Sequence, residues 1–506
     1  MHQALVCIAA TIVAYLFVVL GVGFFYAKRN ESSSDFYLGG RSLGPLVTAM
    51  SAEASDMSSY LLMGLPGLAY LCGTAEVGWT VIGLAAGTYL NWLFTARRLR
   101  RYSEALGAFT IPQFFSRRFR DDKCILTCIA ALVIIVFFIP YTASGFAACG
   151  KLFASLYGID YTIAMMVSAV VIISYTAAGG FLAASMTDFI QSIVMTIAIV
   201  SVCAFATHIA GGFGAVAENV RSMTGYISMT STLADGKDLV PFGTLSIIAT
   251  LSWGLGYFGM PHILLRFMAA DNPEHIKLSR RVASIWVVIA MAVAVGIGLV
   301  GRVLTEKGVI TLSGDSETII VAIANYMSGF GVLAAIAAGL VLAGILASTM
   351  STADSQLLAA ASGVSENLVR ETFKINISER NTLLIARLTV IVIAILGMII
   401  ARNPESNVFM IVSFAWAGFG AAFGPVMMCS LFWKRTTLPG AVCGMIAGGA
   451  MVFIWKFLLK PMGGVWGIYE LLPAFVVGIL TIVIVSLCTK EPSEEIQAEF
   501  DQVVKG

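Results

Sequence analysis

Apolar stretches long enough to cross a lipid bilayer follow one another along the whole sequence. Hydrophobic residues make up 58% of the 506 residues and charged residues only 12%, whereas soluble proteins carry about 25% charged residues. So few charges cannot build a water-soluble surface, and lipid is therefore expected to cover most of the chain. The sequence predicts an all-α polytopic membrane protein with about thirteen spans. These cover residues 4–27, 45–72, 76–96, 124–153, 159–178, 186–210, 240–262, 282–303, 328–358, 383–401, 407–433, 438–459 and 467–489.

The distribution of Lys and Arg predicts the orientation of these spans, because cytoplasmic loops are enriched in both residues. The loop after the third span is the most basic one, which places the N-terminus outside and the C-terminus inside a cell membrane. Residues expected in the cytoplasm are Lys28, Arg29, Arg41, Arg97, Arg98, Arg100, Arg101, Arg117, Arg118, Arg120, Lys123, Arg266, Lys277, Arg280, Arg281, Arg370, Lys374, Arg380, Lys434 and Arg435. Those expected outside are Lys151, Arg221, Lys237, Arg302, Lys307, Arg402, Lys456 and Lys460.

The chain is expected to form one transmembrane domain, residues 1–489, followed by a short solvated cytoplasmic tail, residues 490–506. The first span is too long for a signal peptide and is expected to be retained. Neither the nine cysteines nor the four histidines form a pattern typical of a disulfide framework or metal site. No nucleophile–base arrangement, cofactor motif or nucleic-acid-binding feature is evident, so an enzyme is not expected. The sequence does not indicate an oligomeric state.

Polar residues at membrane depth tend to be functional, because burying them in lipid is costly. The second span contains Glu53 and Asp56 among four serines, followed by the segment 64–67 with two glycines and a proline. Serines alone can bond to their own helix, but two carboxylates are hard to explain by packing. The nearby glycines and proline permit a break in the helix, which would free carbonyl groups for a cation and a polar solute.

A second polar group lies at the end of the ninth span. Ser348, Ser351, Thr352 and Ser355 share one helical face at positions i, i+3, i+4 and i+7, beside Asp354. Together with carbonyls of an unwound partner helix, these oxygens would suit sodium. Hydroxyls bonded back to their own helix are the alternative.

Two further groups have weaker signals. In the seventh span Trp253, Tyr257 and Pro261 recur every four residues among three glycines, which predicts an aromatic face that closes on a solute or an interfacial aromatic belt. Tyr141 follows a proline in the fourth span, and Asp188 near the start of the sixth span is either functional or a helix N-cap.

These segments resemble the sodium:solute symporter family, and among its members the bacterial sodium/proline symporters. The resemblance covers essentially the whole chain. It rests on the segments 38–45, 54–58, 63–67, 253–259, 261–264, 266–271, 350–352 and 415–425.

The resemblance implies a leucine-transporter-like inverted-repeat fold, with repeats at about 45–210 and 240–433 and extra helices at 4–27, 438–459 and 467–489. It implies sodium-coupled import of a small solute by alternating access, with L-proline as the first expectation and sodium as a co-transported ion rather than a cofactor. The implied sodium ligands are the carbonyls of Ala54, Met57 and Ser348 and the hydroxyls of Ser351 and Thr352. Residues implied to line the solute site are Ser58, Tyr60, Gly64, Tyr141, Trp253, Tyr257 and Pro261. Those implied to support sodium, or to hold a second cation or a proton, are Asp56, Asp188, Asp354, Ser355 and Glu53, and Arg41 matches a position of coupling.

The chain differs from typical proline symporters at Glu53, Ser59, Tyr60, Met260 and the segment 353–355. Two alternatives therefore stay open within transport: another small amino acid, or a carboxylate such as a pantothenate-like acid. A transporter-like sensor is the alternative from another class. The expected partners are the solute, sodium and the lipid bilayer.

Overall fold

The computed structural model describes residues 2–27, 33–234, 236–312, 314–375, 378–403 and 407–505, so Lys28 and Arg29 lie outside the described residues. The chain is almost entirely helical. The helices are His2–Ala27 (α1), Ser33–Leu38 (α2), Pro45–Ser59 (α3), Leu65–Cys72 (α4), Thr74–Leu90 (α5), Arg97–Ala105 (α6), Ile111–Phe119 (α7), Ile125–Tyr157 (α8), Tyr161–Ile209 (α9), Gly212–Ser222 (α10), Thr244–Leu251 (α11), Pro261–Ala269 (α12), Ile276–Glu306 (α13), Ile319–Met327 (α14), Val332–Ser362 (α15), Glu379–Ile400 (α16), Val408–Phe432 (α17), Leu438–Ile454 (α18), Leu471–Cys488 (α19) and Glu494–Lys505 (α20).

Shorter turns and one hairpin complete the chain. The strands Ser231–Ala234 (β1) and Asp238–Pro241 (β2) pair antiparallel, with Ser231 opposite Pro241. The 3₁₀ turns are Gly39–Arg41, Ser252–Gly259, Ser316–Thr318, Ser328–Phe330, Lys460–Met462 and Gly464–Gly467, and the π-helical turns are Tyr60–Gly64, Asn91–Ala96, Gly363–Thr372 and Trp455–Leu459.

Within the described residues, nine helices are long and apolar enough to cross a membrane, or ten if the bent pair Thr244–Gly259 and Pro261–Ala269 counts as one span. The other three predicted spans, 45–72, 76–96 and 159–178, are helical but interrupted or short. The count of thirteen therefore stays a prediction.

The second predicted span is not one straight helix, as expected. The backbone leaves the helix at Ser58, where φ is 47° and ψ is −169°. Gly64 keeps a helical conformation with φ of −62°, so the break precedes the segment 64–67. Gly67 instead permits close packing, because a Cβ there would lie 2.9 Å from the Glu317 Cα.

A second break lies between α11 and α12. The chain turns through the 3₁₀ segment Ser252–Gly259, becomes extended at Met260 and restarts as α12, with a bend of 48°. Trp253 and Tyr257 do not share the face of an α-helix, since a 3₁₀ turn has three residues per turn rather than 3.6, but both line one cavity. Pro261 begins α12 instead of continuing the face of Trp253 and Tyr257.

Helix α15 lies at the centre of the bundle and packs against α1, α3, α8 and α9. Its segment from Val341 to Ser362 is buried. Helix α3 meets the polar half of α15 at Ala54, just before the break. We call the end of the bundle with Arg41, α6 and α7 the Arg41 end, and the opposite end, with Lys151, the Lys151 end.

The predicted solvated tail is mostly exposed or half-buried, and it forms a helix that packs on one side. Residues Glu494–Lys505 form helix α20, which packs against α6. Phe500 is buried, and its ring centroid lies 5.2 Å from the guanidinium carbon of Arg118. The Arg120 guanidinium pairs with the Glu499 carboxylate at 2.7 Å. Apolar and charged contacts together hold the tail against the Arg41 end.

Candidate functional site

The predicted sodium ligands on α3 and α15 meet in the centre of the bundle. The Ser351 hydroxyl donates to the Ala54 carbonyl oxygen at 2.8 Å and to the Ser348 carbonyl oxygen at 3.2 Å. The Thr352 hydroxyl donates to the same Ser348 carbonyl at 3.1 Å. All four residues are buried. Their two hydroxyl and two carbonyl oxygens form a cluster of the hard ligands that sodium prefers, which we call the oxygen cradle.

Met57, the fifth predicted ligand, lies at the break in α3. It is buried, and its carbonyl oxygen accepts the backbone N–H of Tyr60. The Ser58 hydroxyl also accepts this N–H, at 3.1 Å. Ser58 thus closes the turn that follows the break, and the described contacts do not join Met57 to α15.

A narrow cavity with a volume of about 10 Å³, about the space that one water molecule needs, lies next to the break in α3. Four of the predicted solute residues line it, but Ser58, Gly64 and Pro261 do not. Gly64 lies behind the Tyr60 ring, which a Cβ at this position would approach to 3.2 Å. The residues that line the cavity are Asp56, Met57, Tyr60, Leu84, Tyr141, Trp253, Tyr257, Met291, Val412 and Trp416.

Asp56 brings a negative charge to this cavity. Its carboxylate accepts the Tyr257 hydroxyl at 2.6 Å, and its carbonyl oxygen accepts the Tyr141 hydroxyl at 3.4 Å. Asp56 is 5% exposed. A buried carboxylate in an aromatic cavity suits a cationic group, whether an ammonium or a metal ion.

Stacked aromatic rings close the cavity towards the Lys151 end. The Trp253 ring stacks on Tyr469 with centroids 4.9 Å apart, and the Tyr60 ring stacks on both Trp253 and Phe409 at 5.6 Å. The Tyr469 hydroxyl donates to the Ser413 carbonyl oxygen at 2.8 Å. We call Tyr60, Trp253, Phe409 and Tyr469 the aromatic lid.

Glu317 anchors one edge of the aromatic lid. Its carboxylate accepts the backbone N–H groups of Val408 and Phe409 at 3.1 and 3.0 Å, at the N-terminus of α17. The Lys151 ammonium lies 2.7 Å from Glu317 and 2.8 Å from Asp315. Because Glu317 is 2% exposed, this charged cluster holds α8, α17 and the turn before α14 together.

On the other side of the oxygen cradle, Arg266 forms a buried ion pair. Its guanidinium lies 2.9 Å from the Asp188 carboxylate, and the exposed fractions of the two side chains are 1% and 0%. The guanidinium also donates to the hydroxyls of Ser355 at 2.5 Å and Ser51 at 3.1 Å, and to the His262 carbonyl at 2.8 Å. The Ser51 hydroxyl donates to Asp188 at 2.7 Å.

This pair corrects two predictions. Arg266 was expected in a cytoplasmic loop but is buried on α12. Asp188 lies inside α9, eight residues beyond the break at Gly180, so the interpretation as an N-cap is wrong. The Ser355 hydroxyl also contacts the Asp354 carboxylate at 3.2 Å. Asp188, Asp354 and Ser355 thus do come together, with a guanidinium among them.

Glu53 and Asp56 lie apart from that group. Glu53 accepts the Trp92 indole N–H at 2.9 Å, and Asp56 faces the cavity. The five predicted residues therefore divide into two groups: Glu53 and Asp56, which interact electrostatically, and Asp188, Asp354 and Ser355 around Arg266.

Arg41 closes the Arg41 end. Its guanidinium donates to the carbonyl oxygens of Met268, Ala108 and Ser103 at 2.6, 2.7 and 3.1 Å and to the Ser103 hydroxyl at 3.1 Å. Burial and the neighbouring Arg100 lower the pKa of Arg41 to about 10, so the side chain stays charged at neutral pH. It joins the segment before α3 to α6 and α12.

Sequence reasoning missed several residues of the site. Trp416 lines the cavity and donates its indole N–H to the Trp253 carbonyl at 2.8 Å, although its segment was recognised in the resemblance. Phe409 and Tyr469 lie at helix ends, where an aromatic residue has no distinctive signal. Arg266 was assigned to a loop because the counting of basic residues places them outside the membrane. Such a count cannot show that Arg266 pairs with Asp188 inside the bundle.

Comparison with known proteins decides the family. The model of the sodium:solute symporter family matches residues 36–448. The chain belongs to the sodium:solute symporter family. It is 40% identical to the sodium/proline symporter of Haemophilus influenzae, over 98% of this chain and 97% of that protein. It is 39% identical to the sodium/proline symporter of Escherichia coli, over 97% and 95%, and 38% identical to the osmoregulated proline transporter OpuE of Bacillus subtilis, over 95% and 94%.

Solved structures share the fold. A Na⁺-coupled sialic acid symporter in a substrate-bound outward-open state superposes with a TM-score of 0.78, at 19% identity, over 96% of this chain and 99% of that chain. The nucleobase-cation-symport-1 family transporter Mhp1 in a closed conformation gives a TM-score of 0.57, at 16% identity, over 93% and 99%. The predicted leucine-transporter-like inverted-repeat fold is confirmed. The chain is a multi-pass membrane symporter rather than an enzyme, and sodium is its co-transported ion rather than a cofactor.

Proposed function

We propose that this symporter carries L-proline into the cell together with sodium. The observation that carries the proposal is the buried Asp56 carboxylate. It lines an aromatic cavity two residues from Ala54 of the oxygen cradle. An amino acid is a zwitterion, and its ammonium group can pair with this carboxylate. The full-length similarity to proline transporters supports proline as the amino acid.

A carboxylate without an ammonium group suits the cavity less well. Asp56 would repel such an anion, and the Arg266 guanidinium is engaged by Asp188. Another small amino acid is the better alternative, because the Tyr60 hydroxyl lacks a hydrogen-bond partner in the described residues and offers one to the solute.

We further propose that one sodium ion binds in the oxygen cradle, through the carbonyls of Ala54, Met57 and Ser348 and the hydroxyls of Ser351 and Thr352. The hydroxyls of Ser351 and Thr352 now donate to the carbonyls of Ala54 and Ser348. A bound sodium ion would take the place of the hydroxyl hydrogens as the partner of these carbonyls. The hydroxyls would rotate, so that each oxygen points a lone pair at the ion. Asp56 supplies the negative charge nearby.

The group of Asp188, Asp354 and Ser355 is proposed as the inner closure and as the place of a second cation. In this conformation the Arg266 guanidinium pairs with the Asp188 carboxylate. A second cation can bind there only if Arg266 moves away. The proposed transport cycle therefore couples the opening of the Arg41 end to the breaking of this ion pair.

The Arg41 end is proposed to face the cytoplasm, as the excess of basic residues in α6 and α7 supports. The aromatic lid then faces outside. Sodium and solute would enter past the aromatic lid, and their binding would favour the conformation that is closed around both. They would leave after Arg41 breaks its hydrogen bonds and Arg266 breaks its ion pair. The proposed repeats at about 45–210 and 240–433 each begin with a broken helix, at Ser58 in the first and between α11 and α12 in the second. At about 100 mV one co-transported charge contributes roughly 2.3 kcal/mol, or a concentration factor of about 50.

Binding of radiolabelled L-proline to the purified protein tests the solute. We expect saturable binding in sodium chloride that is lost in choline chloride. Unlabelled proline should displace it, whereas pantothenate should not. Binding of another small amino acid in place of proline would support the sodium-coupled mechanism but reject proline as the solute. Binding of a solute without any sodium-driven flux would favour a sensor.

A further inference from the structure

Helix α20 lies against the Arg41 end, although it follows the last apolar helix of the bundle. Phe500 is 6% exposed, and Val503 packs against the same core. The other side of the helix is charged, and Val504, one turn beyond Phe500, is 41% exposed. Helix α20 is therefore amphipathic, and its apolar side is buried against the rest of the chain.

The Phe500 ring covers a point where three helices meet. Its centroid lies 6.5 Å from that of Tyr102 on α6, edge to face, and 5.2 Å from the guanidinium carbon of Arg118 on α7. Arg118 in turn donates its Nε hydrogen to the Ser430 carbonyl oxygen of α17 at 3.1 Å. Helix α20 thus contacts α6 and α7 where α7 is joined to α17.

Ion pairs surround this apolar contact. The Arg120 guanidinium, at the end of α7, lies 2.7 Å from the Glu499 carboxylate and 3.7 Å from that of Glu495. On the turn between α17 and α18, the Lys434 ammonium lies 3.4 Å from the Asp501 carboxylate. The acidic helix therefore lies on a surface of opposite charge. Because exposed ion pairs each contribute little to stability, this contact can open and close.

The docked helix leaves the Arg118 guanidinium without enough acceptors. Arg118 is 0% exposed, and its Nη1 and Nη2 atoms have no hydrogen-bond partner in the described part of the chain. Aromatic rings surround the guanidinium instead. The Glu499 carboxylate, which attracts it, accepts a hydrogen bond from Arg120. Burying unsatisfied donors is unfavourable, and this cost opposes the gain from burial of Phe500. The docked state is therefore only moderately favoured.

The helix under α20 is also the one that Arg41 uses to close this end. Arg41 donates to the carbonyl oxygens of Ser103 and Ala108, on α6 and just after it. Ser103 follows Tyr102, which contacts Phe500. We propose that α20 is an autoinhibitory clasp, which ties α6 to α7 and to the turn between α17 and α18 and holds the Arg41 end closed until it undocks. The effect on transport rests on the proposed function, in which this end opens to release the solute, whereas the clasp itself does not.

Thiol labelling of the purified protein in micelles tests the clasp. Ala269→Cys on α12 is the reporter, because Ala269 is 0% exposed and its carbonyl oxygen accepts the Leu43 N–H at 3.1 Å at the Arg41 end. Deletion of residues 490–506 should speed labelling of the reporter about tenfold or more, since burial of one Phe side chain corresponds to at least about that factor. The native Cys149, which is 0% exposed in the core, is the internal control, and its labelling rate should not change.

Phe500→Ala is the second variant, because it keeps α20 and its charges. It should give most of the same increase, whereas Val504→Ala, the matched control at an exposed position of the same helix, should give none. The proposal is overturned if neither the deletion nor Phe500→Ala speeds labelling of the reporter. It is also overturned if labelling of Cys149 becomes faster to the same extent, because the variants would then have loosened the whole bundle.

Sodium-driven uptake of L-proline tests the consequence for transport. The maximal rate of Phe500→Ala should exceed that of the wild type by about twofold or more, because release of the solute no longer waits for α20 to undock. Equal maximal rates would reject the role in transport. If neither protein takes up proline, the proposed solute has failed, and the labelling result still decides whether α20 holds the Arg41 end closed.

Discussion

The buried ion pair between Arg266 and Asp188 predicts a large and strongly non-additive effect on stability. Arg266→Gln leaves the Asp188 carboxylate buried without its countercharge. Removing one partner of a buried pair costs about 3–5 kcal/mol, and the guanidinium also loses its bonds to Ser355 and Ser51. Asp188→Asn should cost a similar amount, because it leaves the guanidinium unpaired.

The double variant Arg266→Gln with Asp188→Asn removes both charges. We expect it to be less destabilised than the sum of the two single variants, by at least about 2 kcal/mol. Equilibrium unfolding in mixed micelles measures the free energy of unfolding of all three proteins. Arg97→Gln is the matched control, since the side chains of Arg97 and its partner Glu274 are 49% and 64% exposed and such pairs contribute about 0–1 kcal/mol. The assignment of a charged, buried pair would be refuted if the losses of unfolding free energy in the two single variants added up to that of the double variant. It would also be refuted if those losses were no larger than the loss in the control Arg97→Gln.

Three further predictions follow from the site. Thr352→Ala should raise the sodium concentration for half-maximal transport about tenfold or more, because one charge-assisted ligand contributes about 1.5–3 kcal/mol; sodium titration of uptake checks this, and an unchanged sodium dependence would remove Thr352 from the cradle. In a protein that carries Phe409→Cys, the further change Glu317→Gln should loosen the aromatic lid, since the pair with Lys151 is lost. Thiol labelling of that cysteine should become about tenfold faster, measured relative to labelling of the native cysteines. Equal labelling rates with and without Glu317→Gln would mean that Glu317 does not hold the lid. Gly67→Ala should lower the free energy of unfolding by about 1–3 kcal/mol, because its Cβ would lie 2.9 Å from the Glu317 backbone, whereas Gly243→Ala, with nothing within 4 Å, should not.

Local periodicity predicted the parts of the site that lie on one regular helix. Ser348, Ser351 and Thr352 follow helical spacing, and the hydroxyls of Ser351 and Thr352 both donate to the Ser348 carbonyl of their own helix, which is the bonding that the sequence analysis gave as the alternative. Family resemblance added Ala54 as the partner across the interface, and Ser351 indeed contacts its carbonyl. The fold class was predictable for the same reason, since apolar length and matching motifs run along the whole chain.

The failures have a common physical cause, because they depend on contacts between distant parts of the chain. The exact position of the break is one of them, because Ser58 is a non-glycine residue with a positive φ, whereas the sequence showed only that a break near the glycines and the proline was permitted. Arg266 and Asp188 are 78 residues apart, and Glu53 and Trp92 are 39 apart. A count of charges assigned Arg266 to a loop, and it could not show that the Glu53 carboxylate accepts the Trp92 indole N–H.

Sodium-driven uptake of L-proline into proteoliposomes tests the central claim most directly. With an inward sodium gradient, we predict accumulation of proline above its external concentration, together with proline-stimulated sodium entry. Thr352→Ala should abolish the accumulation at low sodium. Uptake that is unaffected by the sodium gradient, or sodium entry that proline does not stimulate, would contradict the account.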